Sequence, residues 1–418
     1  MPMKVYSKAA CLFILSLILL TACSEQGEAV KPTEVAPVNT RGFENADCDR
    51  AFAYAYFDYA VCSTENVIYY TAPELISTHS WIHFWDKKSG LTMPLCSKAD
   101  CLHDNESCQA FFEDSIYCLS AHGDELFWLG RTKYGEYRLY SCQADGSARK
   151  EYPIENSERM ESLTVDTKAF IHRGYVYFQG MQNVVQEGEP ASESYLFRCP
   201  LTGGRAEVVL YEPYNDTLLT VQAVGDSLFI VRSKTQSLDL ETETFVEEVI
   251  ISQLDCKSLK ESILFQEICN FAVNNIWVTE TGIFLSTVDS ARLHWFDFAT
   301  GKISIPFVLD PEDIFVKQIY FGENRIIAIQ HNKDFFALMV RDFEGNILLY
   351  RNYEVKSLEA VRGKYFLHFQ GIDQNNIFIY SDELSSPRQE SLLCFPLDGS
   401  DPLELWIGEP IKINGNPT

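Results

Sequence analysis

Residues 94–108 read PLCSKADCLHDNESC, and they hold the densest chemistry in the chain. Cys96, Cys101, His103 and Cys108 follow the pattern C-x4-C-x-H-x4-C. Three thiols and an imidazole on short loops can converge on Zn²⁺, which takes sulfur and nitrogen donors in a tetrahedron. The spacing is only loosely like that of a zinc knuckle. The same thiols can pair instead. A Cys96–Cys101 or Cys101–Cys108 disulfide would staple a small loop, as neighbouring cysteines tend to in an oxidising space, and sequence does not fix connectivity. In that reading His103 is a polar loop residue, and a third reading leaves the thiols free. The cofactor expectation is therefore none, or zinc at this loop.

Other chemistry is sparse. Asp239, Glu241, Glu243, Glu247 and Glu248 form an acidic run without the residue order of a calcium loop, and read as a solvated hairpin. His79, His83 and His172 stand alone. There is no Gly-x-Ser-x-Gly elbow, His-Glu-x-x-His pair, P-loop or dinucleotide fingerprint, so no residue is nominated as catalytic. Trp81, Trp85, Trp128 and Trp295 sit in apolar runs and read as packing. The chain has 13 Cys. Setting aside Cys11 and Cys23, both in the N-terminal segment treated below, leaves an odd number, so not all can pair. Cys142, Cys199 and Cys394 recur at like points of similar segments, which keeps them apart and marks them as buried thiols.

What positions these residues is a β-rich body. The chain has 418 residues, 46% hydrophobic, with 28 Phe and 21 Tyr, enough for a large core and biased toward strands. A net charge of −25 repels nucleic acid, which removes that class of partner.

The N-terminus reads as an address. Lys4 and Lys8 precede an apolar run, Ala9 to Leu20, too short to span a bilayer. Leu20-Thr21-Ala22-Cys23 resembles the lipobox of bacterial lipoprotein signal peptides. That resemblance implies cleavage before Cys23 and a diacylglycerol on its thiol, anchoring the protein to the outer face of the cell membrane. The domain expectation is a signal peptide at 1–22, the lipidated Cys and a flexible tether at 23–48, a globular body at 49–412 and a tail at 413–418.

The body repeats. Turns recur at Lys88-Ser89-Gly90, Asp145-Gly146-Ser147, Thr202-Gly203-Gly204, Asp255 to Ser258, Thr300-Gly301-Lys302, Glu344-Gly345-Asn346 and Asp398-Gly399-Ser400. An apolar strand opens upstream of each, in step, as at Asn66–Tyr70, Glu125–Trp128 and Gly282–Leu285. A period of about 43–57 residues with four short strands per unit predicts an all-β fold, a β-propeller of seven four-stranded blades, with six or eight as alternatives. A pair of β-sandwiches is the competing architecture, and sandwiches do not give seven units in register. With the four strands of each unit lettered a to d in chain order, long segments at Thr71–Ser80, Met181–Ser194, Lys234–Glu247 and Asp382–Glu390 read as b–c loops on one face. The Cys-rich segment reads as a d–a connection on that same face, opposite the Asp145–Ser147 turn.

The signal peptide, tether, repeated hairpins and PLCSKADCLH stretch together resemble propeller lipoproteins of clostridia-like Gram-positive bacteria, with a more distant likeness to TolB-type propellers. The resemblance covers nearly the whole mature chain and carries no catalytic residue onto it. It implies a lipid-anchored, extracytoplasmic propeller. The functional expectation is a non-enzymatic binding or scaffold protein for a protein, peptide or glycan, acting through the b–c face. The alternative is a propeller hydrolase or lyase with its site at the channel mouth.

Overall fold

The computed structural model describes residues 50–52 and 60–407, apart from 74–78, 114, 133–135, 156–168, 187–188, 214–216, 240–243, 288–291, 308–315, 332–334, 355–364 and 384–388. Among the described residues there is no helix, and so none long and apolar enough to cross a membrane.

After a short strand, β1 (Arg50–Phe52), the chain lays down seven antiparallel sheets in succession. Blade 1 is β2 (Val61–Ser63), β3 (Val67–Pro73), β4 (Ser80–Asp86) and an outer strand in two pieces, β5 (Thr92–Pro94) and β6 (Phe111–Phe112). Blade 2 is β7 (Ser115–His122), β8 (Glu125–Arg131), β9 (Tyr137–Gln143) and β10 (Lys150–Glu155). Blade 3 is β11 (Ala169–His172), β12 (Tyr175–Gln186), β13 (Glu189–Pro200) and, past the two-residue β14 (Gly204–Arg205) that runs parallel to β10, β15 (Glu207–Glu212). Blade 4 is β16 (Thr217–Val224), β17 (Ser227–Asp239), β18 (Thr244–Asp255) and β19 (Glu261–Cys269). Blade 5 is β20 (Val273–Val278), β21 (Gly282–Thr287), β22 (Leu293–Asp297) and β23 (Lys302–Ser304). Blade 6 is β24 (Val316–Gly322), β25 (Arg325–His331), β26 (Phe335–Arg341) and β27 (Ile347–Glu354). Blade 7 is β28 (Tyr365–Ile372), β29 (Asn376–Glu383), β30 (Gln389–Pro396) and β31 (Leu403–Ile407). The fold is a seven-bladed β-propeller.

The repeated turns have a common physical cause. An Asp at or just past the end of the third strand turns its carboxylate onto the amides of the following hairpin. Asp86 Oδ1 accepts from the Ser89 amide at 2.6 Å, Asp255 Oδ1 from Ser258 at 2.7 Å, Asp297 Oδ1 from Thr300 at 2.7 Å and Asp342 Oδ1 from Asn346 at 2.7 Å. Asp145 and Asp398 do the same to Ser147 and Ser400. Asx turns of this kind satisfy backbone donors at a reversal and need no neighbouring blade. Blade 3 has Pro200 at this point, and there the Gly203 amide bonds the Pro200 carbonyl at 2.9 Å.

Burial follows from blade stacking. The second strands are apolar on both sides, and β21 is buried along its whole length, while the outer strand β10 exposes most of its residues. Each seam is filled by aromatic and branched side chains from two adjacent blades. Leu129, Leu139, Phe178 and Phe197 fill the seam of blades 2 and 3, and Ile327, Ile329, Ile377 and Ile379 that of blades 6 and 7. At about 25 cal/mol per Å² of apolar surface removed from water, such seams are the main stabilising term in a fold whose blades cannot stand alone.

Among the described residues the ring closes without strand exchange. Apart from β1 and β14 the strands of each sheet are contiguous in sequence, and among the described residues no strand of blade 7 pairs with a strand of blade 1. Ile68 and Tyr70 pack on Phe378, Leu392 and Leu405, and the Tyr70 hydroxyl donates to the Leu405 carbonyl at 2.9 Å. The strand β1 does not join that seam. It pairs antiparallel with β16, the first strand of blade 4, through Arg50↔Val224 and Phe52↔Gln222.

Three of the expected b–c loops are wholly or partly strand. Met181–Ser194 and much of Lys234–Glu247 are not loops. β12 and β13 stay paired out to Gln186↔Glu189, and β17 and β18 out to Asp239↔Thr244, so both segments are hairpin extensions. The Asp382–Glu390 segment is paired at both of its ends, through Asp382↔Glu390 and Glu383↔Gln389. The missing signal is physical: an extension that lacks a buried face has no reason to alternate apolar and polar residues.

Candidate metal centre

The outer strand of blade 1 is split, and the split holds the site. β5 pairs with β4 through His83↔Pro94, Phe84↔Met93 and Trp85↔Thr92. β6 pairs with the other end of β4 through Ser80↔Phe112 and Trp81↔Phe111. Between them, Ile82 serves both pieces. Its carbonyl accepts the Leu95 N–H at 2.8 Å, and its own N–H donates to the Ala110 carbonyl at 2.9 Å. Residues 96–109 are therefore an excursion whose two ends meet at one residue. The segment is an insertion within the fourth strand, not the connection between blades that its sequence suggested. A two-residue strand such as β6 is too short to show a period.

This excursion brings Cys96, Cys101, His103 and Cys108 together. One donor atom from each lies within 4.8 Å of all the others. His103 Nδ1 sits 3.3 Å from Cys108 Sγ. A tetrahedron with Zn–S bonds of about 2.3 Å and a Zn–N bond of about 2.0–2.1 Å has edges of about 3.5–3.8 Å, so small side-chain movements close the set around an ion. It is the one group of three or more such donors among the described residues.

The local backbone explains the convergence. His103 adopts a left-handed conformation at φ 57°, uncommon for a residue with a side chain. That reversal comes between Cys101 and Cys108 and returns the ring to Cys108. Polar contacts shape the rest of the loop. Gln109 Oε1 accepts from the Ser97 amide and hydroxyl at 2.9 Å each, Lys98 Nζ donates to the Ser107 carbonyl at 2.6 Å, and the Asn105 side chain receives the Ser107 amide at 2.9 Å. Cys108 is buried, while Cys96, Cys101 and His103 are half-buried. Burial, foremost, pushes the Cys108 thiol up to about 12. Burial also acts on Cys96, but hydrogen bonds from the Lys98 and Gln109 backbone and from the Cys101 and Cys108 thiols together outweigh it and hold that thiol below its ordinary value. No disulfide joins the cysteines of the described residues; all three loop thiols are free.

The loop is fastened to blade 2. Phe112 packs edge-on against Trp128 with ring centres 4.9 Å apart, and the Arg149 guanidinium lies over Phe112 at 3.9 Å while donating to the Phe111 carbonyl at 3.0 Å. Gly146, in the c–d turn of blade 2, lies against Leu95. By its place in the repeat, that turn is expected on the face opposite the Cys segment. They touch because the insertion leaves its strand part-way along rather than at its end. Sequence reasoning also missed Gln109 and Arg149, whose roles depend on contacts no local pattern encodes.

The remaining candidates do not converge. His79 packs edge-on against Phe111, His83 stacks on Tyr70 with ring centres 5.6 Å apart, and the His172 ring bonds the Gly225 carbonyl at 2.8 Å. Burial, foremost, lowers His83 to about 4, so it is neutral at neutral pH. Of the acidic run, Glu247 is buried and accepts from Thr235 at 3.0 Å, Glu248 accepts from Gln266 at 2.7 Å, and Glu241 and Glu243 lie outside the described residues. Cys23 also lies outside them. Trp128 is fully buried in a seam, and Trp81 and Trp295 pack on Phe111 and Phe284. Cys142, Cys199 and Cys394 are buried free thiols in the third strands of blades 2, 3 and 7, as their spacing indicated.

No protein-family model matches the chain, and no curated protein matches it in sequence. Solved structures do. A puromycin-hydrolysing peptidase of Mycobacterium tuberculosis superposes with a TM-score of 0.54 at 9% identity, over 88% of this chain and 55% of that one. A structure from a study of two prolyl endopeptidases gives 0.50 at 12% identity, over 88% and 51%. An acylaminoacyl peptidase complexed with Z-Gly-Gly-Phe-chloromethyl ketone gives 0.50 at 13%, over 85% and 52%. The likeness is one of fold. The chain spans about half the length of the peptidases it matches.

Proposed function

We propose that this chain is a lipid-anchored extracytoplasmic propeller, of the propeller-lipoprotein kind its sequence resembles, that works as a non-enzymatic binding module for a protein, peptide or glycan. Lipid on Cys23 holds it to the membrane, and the b–c face receives the partner. One observation carries the binding reading: the b–c hairpins of blades 3 and 4 are far longer than those of the other blades, with strands of 12 and 13 residues against 5 to 8 in β21, β22, β29 and β30. They raise a wall on one side of that face, and β12 exposes Met181 and Val185 on it, the latter 77% accessible. Insertions gathered on one face of a repeat fold are where such folds place recognition. The Cys/His loop enters this reading as a zinc site of Cys96, Cys101, His103 and Cys108, with three thiolates and one imidazole as donors.

The test replaces 181–194 by a tight two-residue turn in the mature protein and measures binding to arrays of cell-wall glycans and peptides. Binding by the parent protein and its loss in a variant with an unchanged circular-dichroism spectrum supports the reading. Equal binding by both sinks it. Cys23→Ala should move the protein from the membrane to the soluble fraction. A second reading, an enzyme with its site at the channel mouth, draws on the peptidases among the matched folds. Turnover of peptide substrates by the purified mature protein would favour it instead.

A further inference from the structure

Three thiols within 4.8 Å of one another, together with His103, can hold a zinc ion. Two of the same thiols can instead form a disulfide, and the one thiol and one imidazole left over are too few to retain the metal. The loop therefore has two crosslinked states that exclude each other. The metal and disulfide readings of its sequence describe the same atoms in different oxidation states.

Outside its four donor residues the loop has little to hold it. Most of its residues outside the donor set are exposed, and Leu102 is 82% accessible. The polar contacts that shape it are themselves on the surface. Cys108 belongs to the core cluster between blades 1 and 2 and Cys96 and Cys101 pack against it, while little else of the loop is buried, so the donor residues themselves fix most of its course.

Resting on the zinc reading, we propose that the Cys96–Cys108 loop is a redox-releasable zinc latch, opened by thiol–disulfide exchange with a low-molecular-weight disulfide. Accessibility selects the pair. Cys96 and Cys101 are partly exposed while Cys108 is buried, so the first two meet the oxidant. One of these zinc-bound thiolates attacks the S–S bond of the small disulfide, forming a mixed disulfide and expelling one small thiolate. The other thiolate attacks the mixed disulfide, forming the Cys96–Cys101 bond and expelling the second. The protein loses two electrons, the small disulfide gains them, and Zn²⁺ leaves unchanged in charge with only Cys108 and His103 still in place. The two small thiolates take protons from water according to their own pKa values. The part of the loop running from His103 to β6 then loses its tie, while the six-residue ring from Cys96 to Cys101 is stapled.

The mature protein, purified reduced and loaded with zinc, would be treated with oxidised glutathione while a chromophoric chelator reports free zinc. The expected result is one zinc released per chain, two glutathione thiols formed per zinc, and a Cys96–Cys101 disulfide in the peptide map. Hydrogen exchange should rise over residues 103–112, and dithiothreitol with zinc should restore the start. Cys101→Ser, with an unchanged circular-dichroism spectrum, should abolish stoichiometric release. Cys269→Ser, far from the loop, should leave it unchanged. Zinc bound one to one but retained under excess oxidised glutathione overturns the latch and leaves the zinc reading standing. Mapping of the disulfide to a pair that includes Cys108 overturns the assignment by accessibility. Absence of zinc from the loaded protein, with no thiolate-to-metal absorption on adding Co²⁺, removes the zinc reading itself.

Discussion

Lys87 and Asp373 are 286 residues apart in the chain, and Lys87 Nζ lies 2.9 Å from an Asp373 carboxylate oxygen. The same carboxylate accepts the Ser63 hydroxyl at 2.6 Å, and Lys87 also donates to the Thr64 carbonyl at 2.7 Å. Both charged side chains are largely shielded, at 20% and 14% exposure. The pair stands at the seam where blade 7 meets blade 1, which no strand pairing spans among the described residues. Asp373→Ala leaves the Lys87 ammonium half-buried without its counter-charge. A loss of about 1–3 kcal/mol is expected, read as a lower denaturant midpoint. An unchanged midpoint would show that apolar packing alone closes the ring.

The same aspartate predicts an acid dependence. Burial raises its pKa, but the hydrogen bonds from Ser63 and Lys87 outweigh burial and hold the folded value below the ordinary 3.8. Between the folded and unfolded values the unfolded chain binds the extra proton. The contribution is therefore complete above the unfolded pKa and is lost as pH falls through the folded one. The denaturant midpoint should drop below about pH 4, and Asp373→Asn should flatten that part of the profile. Equal acid slopes in the two proteins would refute the assignment.

Gly146 couples two blades through its lack of a side chain. Its φ is +84°, and a Cβ placed on it would come within 2.5 Å of the Leu95 carbonyl oxygen. Gly146→Ala combines left-handed strain of about 1–2 kcal/mol with a backbone clash. The expected outcome is a destabilised protein whose loop at 96–109 exchanges faster with solvent. Full stability in the alanine variant would contradict this.

The thiols should divide by reactivity. Burial, foremost, pushes Cys118, Cys142 and Cys394 up to about 12, which leaves only about one thiolate in 10⁴ at pH 8. Iodoacetamide added to the native, chelator-treated protein should modify Cys96 and Cys101 and leave those three intact until denaturant is added. Mass spectrometry of the peptides decides it, and rapid modification of Cys142 or Cys394 would count against the buried-thiol assignment.

Most of the frame was readable from residue order, because it is built from local rules repeated seven times. The Asp-led turns at Asp86, Asp145 and Asp398 close hairpins with their own side chains, and the second strands carry their own apolar pattern. The gathering of Cys96, Cys101, His103 and Cys108 was readable for the same reason, since short spacing forces proximity. What was not readable needs partners far away in sequence. The place of β6 depends on Ser80 and Trp81, the fastening of the loop depends on Arg149, and the pairing of β1 depends on a strand more than 160 residues downstream. Nothing in Phe111-Phe112 or Arg50-Ala51-Phe52 taken alone names those partners.

The pairing of β1 with β16 sets the load path through the molecule. Tension arriving from the N-terminal side of Arg50 meets the three-pair ladder on blade 4 before it reaches residue 60 and the blade 1 seam. By chain order the first pairs to be loaded would be Arg50, Ala51 and Phe52 with Val224, Ala223 and Gln222, none of which belongs to the blade 7–blade 1 seam. The ladder acts as strain relief. Until that ladder peels, a pull on the leading segment would not load the Lys87–Asp373 closure.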